Sequence, residues 1–212
     1  MFHRASSQPK PSSPWPERYT SSDTLRSIGA QVEALVSRHS GLEIHKRAIE
    51  QQLALMAAQI HEQDLALIPG DVFLLVEIRG SGGVSDQLEQ IARILHEQGY
   101  WKLRGGVQSY HQQDVYHLGR SAQRLFEDYE VADRRVRQLQ ILLGSIKERL
   151  QVESEATPQA VFAGLAAAAD GAKVRAEVDA IADLLEQANR PGWFTRLFVR
   201  NHRKKRTPDF LR

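Results

Sequence analysis

The sequence predicts a mainly α-helical protein. Two long heptad helices, read as an antiparallel coiled-coil hairpin, carry a small α/β head and are followed by a C-terminal helical block. The first observation is a seam of Leu25, Ile28, Val32, Leu35, His39, Leu42, Lys46, Ile49, Leu53, Met56 and Ile60, spaced alternately by three and four residues. The second is a matching seam of Leu118, Ala122, Leu125, Tyr129, Ala132, Val136, Leu139, Leu143, Ile146 and Leu150. A sustained 3.5-residue period marks helices that pack by knobs into holes. The third is the near-equal length of the two seams, which suits two antiparallel helices with the intervening segment as a head; pairing between chains has the same apolar pattern. The predicted organisation is a disordered arm over 1–22, a first helix over 23–66, the head over 67–117, a second helix over 118–152, the helical block over 157–190 and a basic aromatic tail over 191–212.

The arm is Ser-rich and carries four prolines, which break any amphipathic helix, so it reads as a solvated segment rather than a targeting helix. Trp15, between Pro14 and Pro16, is an extended anchor candidate. In the first helix, Gly29, Gly41 and, in the second, Gly144 each weaken the helix by about 1 kcal/mol relative to Ala. The pair Ser40-Gly41 is the expected place for a kink or a break. His39 and Lys46 interrupt the first seam, and polar seam residues fix register and partner number at a cost in stability.

In the head, Asp71 to Arg79 ("DVFLLVEIR") reads as a strand, Val84 to Gln98 as a helix, and "YWKLR" with Val107 to Leu118 as further strand or hairpin. The turn "GSGGVS" between them invites a phosphate-binding reading, because it follows an expected strand and precedes a helix. No Gly-Lys-Ser/Thr is present, the βαβ pattern occurs once, and no acidic residue is placed for a ribose. The turn is therefore expected to turn the chain, with Ser85 as the N-cap of the following helix. The order helix, β-containing head, helix is similar in layout to chaperone and adaptor subunits such as prefoldins. Layout alone carries no function.

In the helical block, Thr157 is the expected N-cap and Pro158 the first helical residue. Val161, Leu165 and Ala168 form one stripe. Val174, Val178, Ile181 and Leu185 form another after Asp170-Gly171.

The charge distribution points to function more than any motif does. From Arg190 onward the chain has eight basic residues and one acidic, a net of +7, whereas the rest carries a net of −5. The tail combines Trp193, Phe194, Leu197 and Phe198 with Arg196, Arg200, Arg203, Lys204, Lys205 and Arg206. On a helix its large apolar residues share one side, so it is expected to order on contact with a protein groove, nucleic acid or an anionic membrane surface. Trp101, Lys102, Arg104 and Tyr110 form a second candidate surface in the head, where aromatic and basic residues together can stack on single-stranded nucleic acid. In so small a head, two or more of the rings Tyr100, Trp101, Tyr110 and Tyr116 are instead expected in the core.

Zero cysteines exclude disulfides, thiol catalysis and Cys-ligated metal sites. His111, Asp114 and His117 converge in neither strand nor helix geometry, so no metal site is expected there. No catalytic motif is present. The sequence thus predicts a non-enzymatic, cytoplasmic structural or adaptor subunit, with no cofactor, that works through coiled-coil contacts and its tail with a protein partner or in a homo- or hetero-oligomer. A nucleic-acid-binding accessory protein and a peripheral membrane adaptor are the alternatives.

Overall fold

The computed structural model describes residues 22–62, 64–103, 110–167 and 173–189. These form six helices and, among the described residues, no strand: α1 (Ser22–Gln59), α2 (Pro69–Arg79), α3 (Ser85–Glu97), α4 (Gln112–Leu150), α5 (Pro158–Ala167) and α6 (Arg175–Asn189). The chain divides into two compact units, one of Met1–Val32 with Leu139–Arg212 and one of Glu33–Gln138, so that α1 and α4 each contribute to both.

The two heptad seams become the buried stripes of α1 and α4. Every seam position is buried except Leu35, His39 and Lys46 on α1 and Tyr129 and Leu150 on α4, which are half-buried. Both helices are long because their seams never lapse, with 38 residues in α1 and 39 in α4. The expected break at Ser40-Gly41 does not occur. α1 runs through it, and the Ser40 hydroxyl donates back to the Val36 carbonyl at 3.2 Å.

In the unit of Glu33–Gln138 one core joins four helices. Leu42, Ile49, Leu53 and Met56 of α1 meet Val72, Phe73 and Val76 of α2, Leu88, Ile91 and Leu95 of α3, and Val115, Leu118 and Leu125 of α4. His39 meets Asp133 and Tyr129, while Lys46 lies over Phe126 and Tyr129. Residue numbers rise along α1 as they fall along α4, so the two helices run in opposite directions over this stretch.

The head is where sequence and structure part. Asp71 to Arg79 is a helix, not a strand, and residues 112–118 form the first two turns of α4, not a hairpin. Tyr100 to Leu103, the described part of the expected strand "YWKLR", and Tyr110 to His111 are not strand either, and residues 104–109 lie outside the described residues. The likeness in layout to prefoldin-type subunits rested on a β-containing head and loses its basis. A short apolar run such as "DVFLLVEI" has no period that separates strand from buried helix. The deciding signals were at its start: Pro69 occupies the first turn and Asp71 lies there too, where a carboxylate favours the helix dipole.

The glycine turn connects α2 to α3, so the strand context required of a phosphate loop is absent. Gly80 and Gly83 have φ of 95° and 92°, a region that favours glycine, and they reverse the chain. The N-cap position of α3 is Val84, not Ser85; Ser85 is the first helical residue, and its hydroxyl reaches the Ser81 carbonyl at 3.4 Å.

A close approach explains one glycine of α4. A Cβ at Gly119 would lie 2.7 Å from Phe73 Cβ, so only glycine lets α2 pack this near.

In the other unit, α1 contributes Leu25, Ile28 and Val32, and α4 contributes Leu139, Leu143 and Ile146 to the buried set. α5 adds Val161, Phe162 and Leu165, and Val178, Ile181 and Leu185 come from α6. The expected cap is present: the Ala160 amide donates to Thr157 Oγ1 at 3.2 Å, and α5 starts at Pro158. Gly29 repeats the logic of Gly119, since a Cβ there would lie 2.8 Å from Phe162 Cβ. Glu177 is buried, and its carboxylate accepts from Ser145 at 3.3 Å and pairs with Arg149 at 2.9 Å. Arg149 also donates to the Lys173 carbonyl at 2.9 Å, which fastens the start of α6 to the end of α4.

Candidate interaction surfaces

The tail residues Trp193, Phe194, Arg196, Leu197, Phe198, Arg200, Arg203, Lys204, Lys205 and Arg206 lie outside the described residues, as do Arg104 and the arm with Trp15. The other head candidates do not form one surface. Tyr110 is buried at 8% exposure within the four-helix core, and its hydroxyl has no hydrogen-bond partner among the described residues. Burial, followed by the charge of Glu89, pushes that hydroxyl above its ordinary pKa. Trp101 packs half-buried against the same core, while Lys102 is exposed. The Tyr110 ring is thus taken up by packing, and Trp101 in part.

Between α1 and α4 lies a polar layer that the sequence marked only by His39 and Lys46. His39 Nε2–H donates to Asp133 at 3.2 Å, and its ring stacks on Tyr129 with centroids 5.2 Å apart. Asp133 is held from outside by Arg137 at 2.9 Å. Lys46 pairs with Glu50 and lies over the Phe126 ring at 5.0 Å, so its charge has a carboxylate and two π faces. Burial, then the charge of Asp133, raises the Tyr129 hydroxyl, opposed by Lys46 and Arg137.

Beside this layer, Tyr100 donates its hydroxyl proton to Asp128, tying the segment that follows α3 to α4. Burial first, and then the bond to Asp128 and its charge, push Tyr100 far above the ordinary phenol range. His45 donates to the Gly41 carbonyl at 2.6 Å and faces Gln98 at 3.2 Å, while His96 donates to the Trp101 carbonyl at 3.1 Å. His39, Asp133, Lys46, Tyr100, His45 and His96 are each engaged with a neighbour, and among the described residues the layer brings together no arrangement of nucleophile, base and oxyanion donors. The layer joins α1 to α4 at the two places where the first seam is polar, through His39 with Asp133 and Tyr129 and through Lys46 with Phe126 and Tyr129.

His111 lies just before α4, and its amide donates to Asp114 at 3.4 Å; the Asp114 carboxylate thereby serves the helix start. Among the described residues no group of three His, Asp or Glu is arranged to hold a metal ion. Among them also, no helix is long and apolar enough to cross a membrane.

What the sequence reading missed is an apolar surface. α2 buries Val72, Phe73 and Val76 on one side and turns Leu74 and Ile78 outward on the other, 54% and 71% exposed. Leu67 and Ile68, at its start, are 37% and 48% exposed. Asp64 and Asp71 are exposed nearby along the chain. At its far end Arg79 is held by the Ile60 carbonyl and Glu62. Leu74 and Ile78 are four apart and so share a face of the helix. The signal was legible: a strand reading alternates these residues between faces, whereas a helix that is apolar all round must either be covered on both sides or expose one. No family model, curated protein or solved structure matches this chain.

Proposed function

We propose that this protein is a non-enzymatic structural or adaptor subunit, with α1 and α4 paired as a coiled-coil hairpin and α2 as its docking element. The observation that carries this reading is the outward apolar face of α2, where Leu74 and Ile78 stand in solvent on a helix whose other side is already part of a core. Isolated exposed apolar residues are ordinary, but several within one short segment mark an interaction site. The coiled-coil part is supported by the alternating three-and-four spacing of buried residues and by the opposed contacts of His39 and Lys46 with α4.

The test is a comparison of baits in extracts of the source cells, the unaltered chain against Leu74→Lys with Ile78→Lys. A specific partner whose recovery falls at least about tenfold with the double variant supports the reading, since such anchors dominate binding. Equal recovery with both baits removes α2 from the interface.

A second reading is favoured by one sequence observation, the net +7 of residues 190–212. It makes the protein a nucleic-acid-binding accessory factor, and the same charge suits a peripheral adaptor on an anionic membrane. A salt titration of DNA and RNA binding, with the full chain and a version cut after Asn189, tests the first. Phosphate contacts give affinity that falls steeply with salt and is lost with the tail. Binding only to vesicles containing anionic lipid supports the membrane adaptor instead.

A further inference from the structure

We propose that a second copy of this chain docks on the outward face of α1, parallel and in register. Opposite its buried seam, α1 carries a second stripe of Ala34, Ser37, Gly41, Ile44, Ala48, Gln51, Leu55 and Ala58, again spaced alternately by three and four. None of these residues is charged. Ile44 is 66% exposed and Leu55 50%, Gly41 and Ala48 are partly exposed, and the other four are exposed. A solvated coiled-coil back carries charge, as α4 does in the same unit with Arg120, Arg124, Glu127, Glu130 and Arg134 exposed. An uncharged stripe with a 3.5-residue period is instead the seam that a further helix requires. Its small residues permit close approach, and Ile44 and Leu55 supply the apolar anchors.

The flanking charges identify the occupant. In a parallel pair seamed on this stripe, each flanking residue that precedes a seam position meets the residue five further along on the second helix. That rule sets Glu33 against Arg38 of the second copy, and the reverse, giving two interchain ion pairs. Both side chains are exposed, and neither has an ion-pair partner among the described residues of its own chain. The remaining flanks are Ser40 with His45, Arg47 with Gln52 and Ala54 with Gln59, none of them like-charged. An antiparallel pair with the stripes fully overlapped would bring the two Arg47 side chains together and the two His45 side chains together. Complementary charge on the chain's own helix thus favours a second copy of that helix, and sets its direction. The α2 surface takes no part, so this contact stands or falls apart from the adaptor reading.

The experiment is sedimentation of the full chain over a wide concentration range. The expected result is a species of twice 24.0 kDa that dissociates on dilution. Ile44→Asp weakens association by about tenfold or more, as expected of a central anchor, while circular dichroism is unchanged because the residue contacts no core. Glu33→Lys alone also weakens the dimer, and Glu33→Lys with Arg38→Glu restores it. Because the chain has no cysteine, Ile44→Cys gives a clean readout of direction: in a parallel pair the two introduced thiols meet and bridge under mild oxidation. A monomer at every concentration, or a dimer that Ile44→Asp leaves intact, overturns the contact. A dimer with neither the bridge nor the charge-swap rescue overturns the parallel register.

Discussion

α1 and α4 are nearly the same length and bury the same kind of seam, yet their outer faces differ. Along its 39 residues α4 carries thirteen Asp, Glu, Lys or Arg, while the 38 of α1 carry eight. None of the eight lies beyond Glu50 or on the outward stripe of Ala34 to Ala58. Between residues 120 and 134 the outer face of α4 is charged, with its most exposed apolar residue, Ile141, lying beyond that stretch, whereas the outward stripe of α1 is uncharged throughout. Internal packing is decided by the seam, which both have; the availability of a helix for a partner is decided by what remains on its back.

The largest effect expected from this difference follows a charge placed on the two sides of one pair. Leu125→Asp buries an unpaired carboxylate in the four-helix core and should cost about 4 kcal/mol or more, read as loss of the cooperative thermal transition. Ile44→Asp, on the exposed back of α1, should change monomer stability by no more than about 0.5 kcal/mol in the same measurement. Equal losses would mean that Ile44 is part of a core within the chain.

Glycines sharpen the comparison next. Gly119→Ala on α4 forces a Cβ against Phe73 and should destabilise by about 1–3 kcal/mol, since neither backbone nor ring has space. Gly41→Ala on α1 meets nothing within 4 Å in its own chain and should stabilise the monomer, at concentrations too low for association, by about 0.5–1 kcal/mol in denaturant titration, because helix propensity then acts alone. Opposite signs from one substitution would separate a glycine required by packing from one merely tolerated.

The smallest effect concerns Tyr100, whose pKa is raised by burial and by Asp128. A raised pKa means that the folded state keeps a proton which the unfolded chain releases near pH 10. The contribution is therefore complete below about pH 10 and is lost as pH rises beyond it. Tyr100→Phe should cost about 1 kcal/mol at neutral pH and make stability less steep in pH above about 10, seen in urea titrations across that range. Parallel slopes for the two proteins would show that Tyr100 ionises freely in the fold.

Much of the helical frame was legible in the residues. The seams located the buried faces of α1 and α4, and Thr157-Pro158 located the start of α5, because periodicity and capping are local properties. The second uncharged stripe on α1 was equally legible, yet it carries meaning only once the first is known to be buried. The head was misread because its apolar run admits two periods, and Pro69 with Asp71 weighed more than β propensity. Tyr110 has the composition of a binding residue; its burial depends on which helices surround it.

What this sequence determined by itself was its helical class, the two long seams and the uneven charge that gathers in residues 190–212. These are sums over neighbours in the chain. Only the tertiary structure decided that Asp133 receives His39, that Tyr100 bonds Asp128, that Gly119 must be glycine and that α2 faces solvent with Leu74 and Ile78. Those outcomes depend on residues far apart in sequence meeting in space, and no local pattern encodes such meetings.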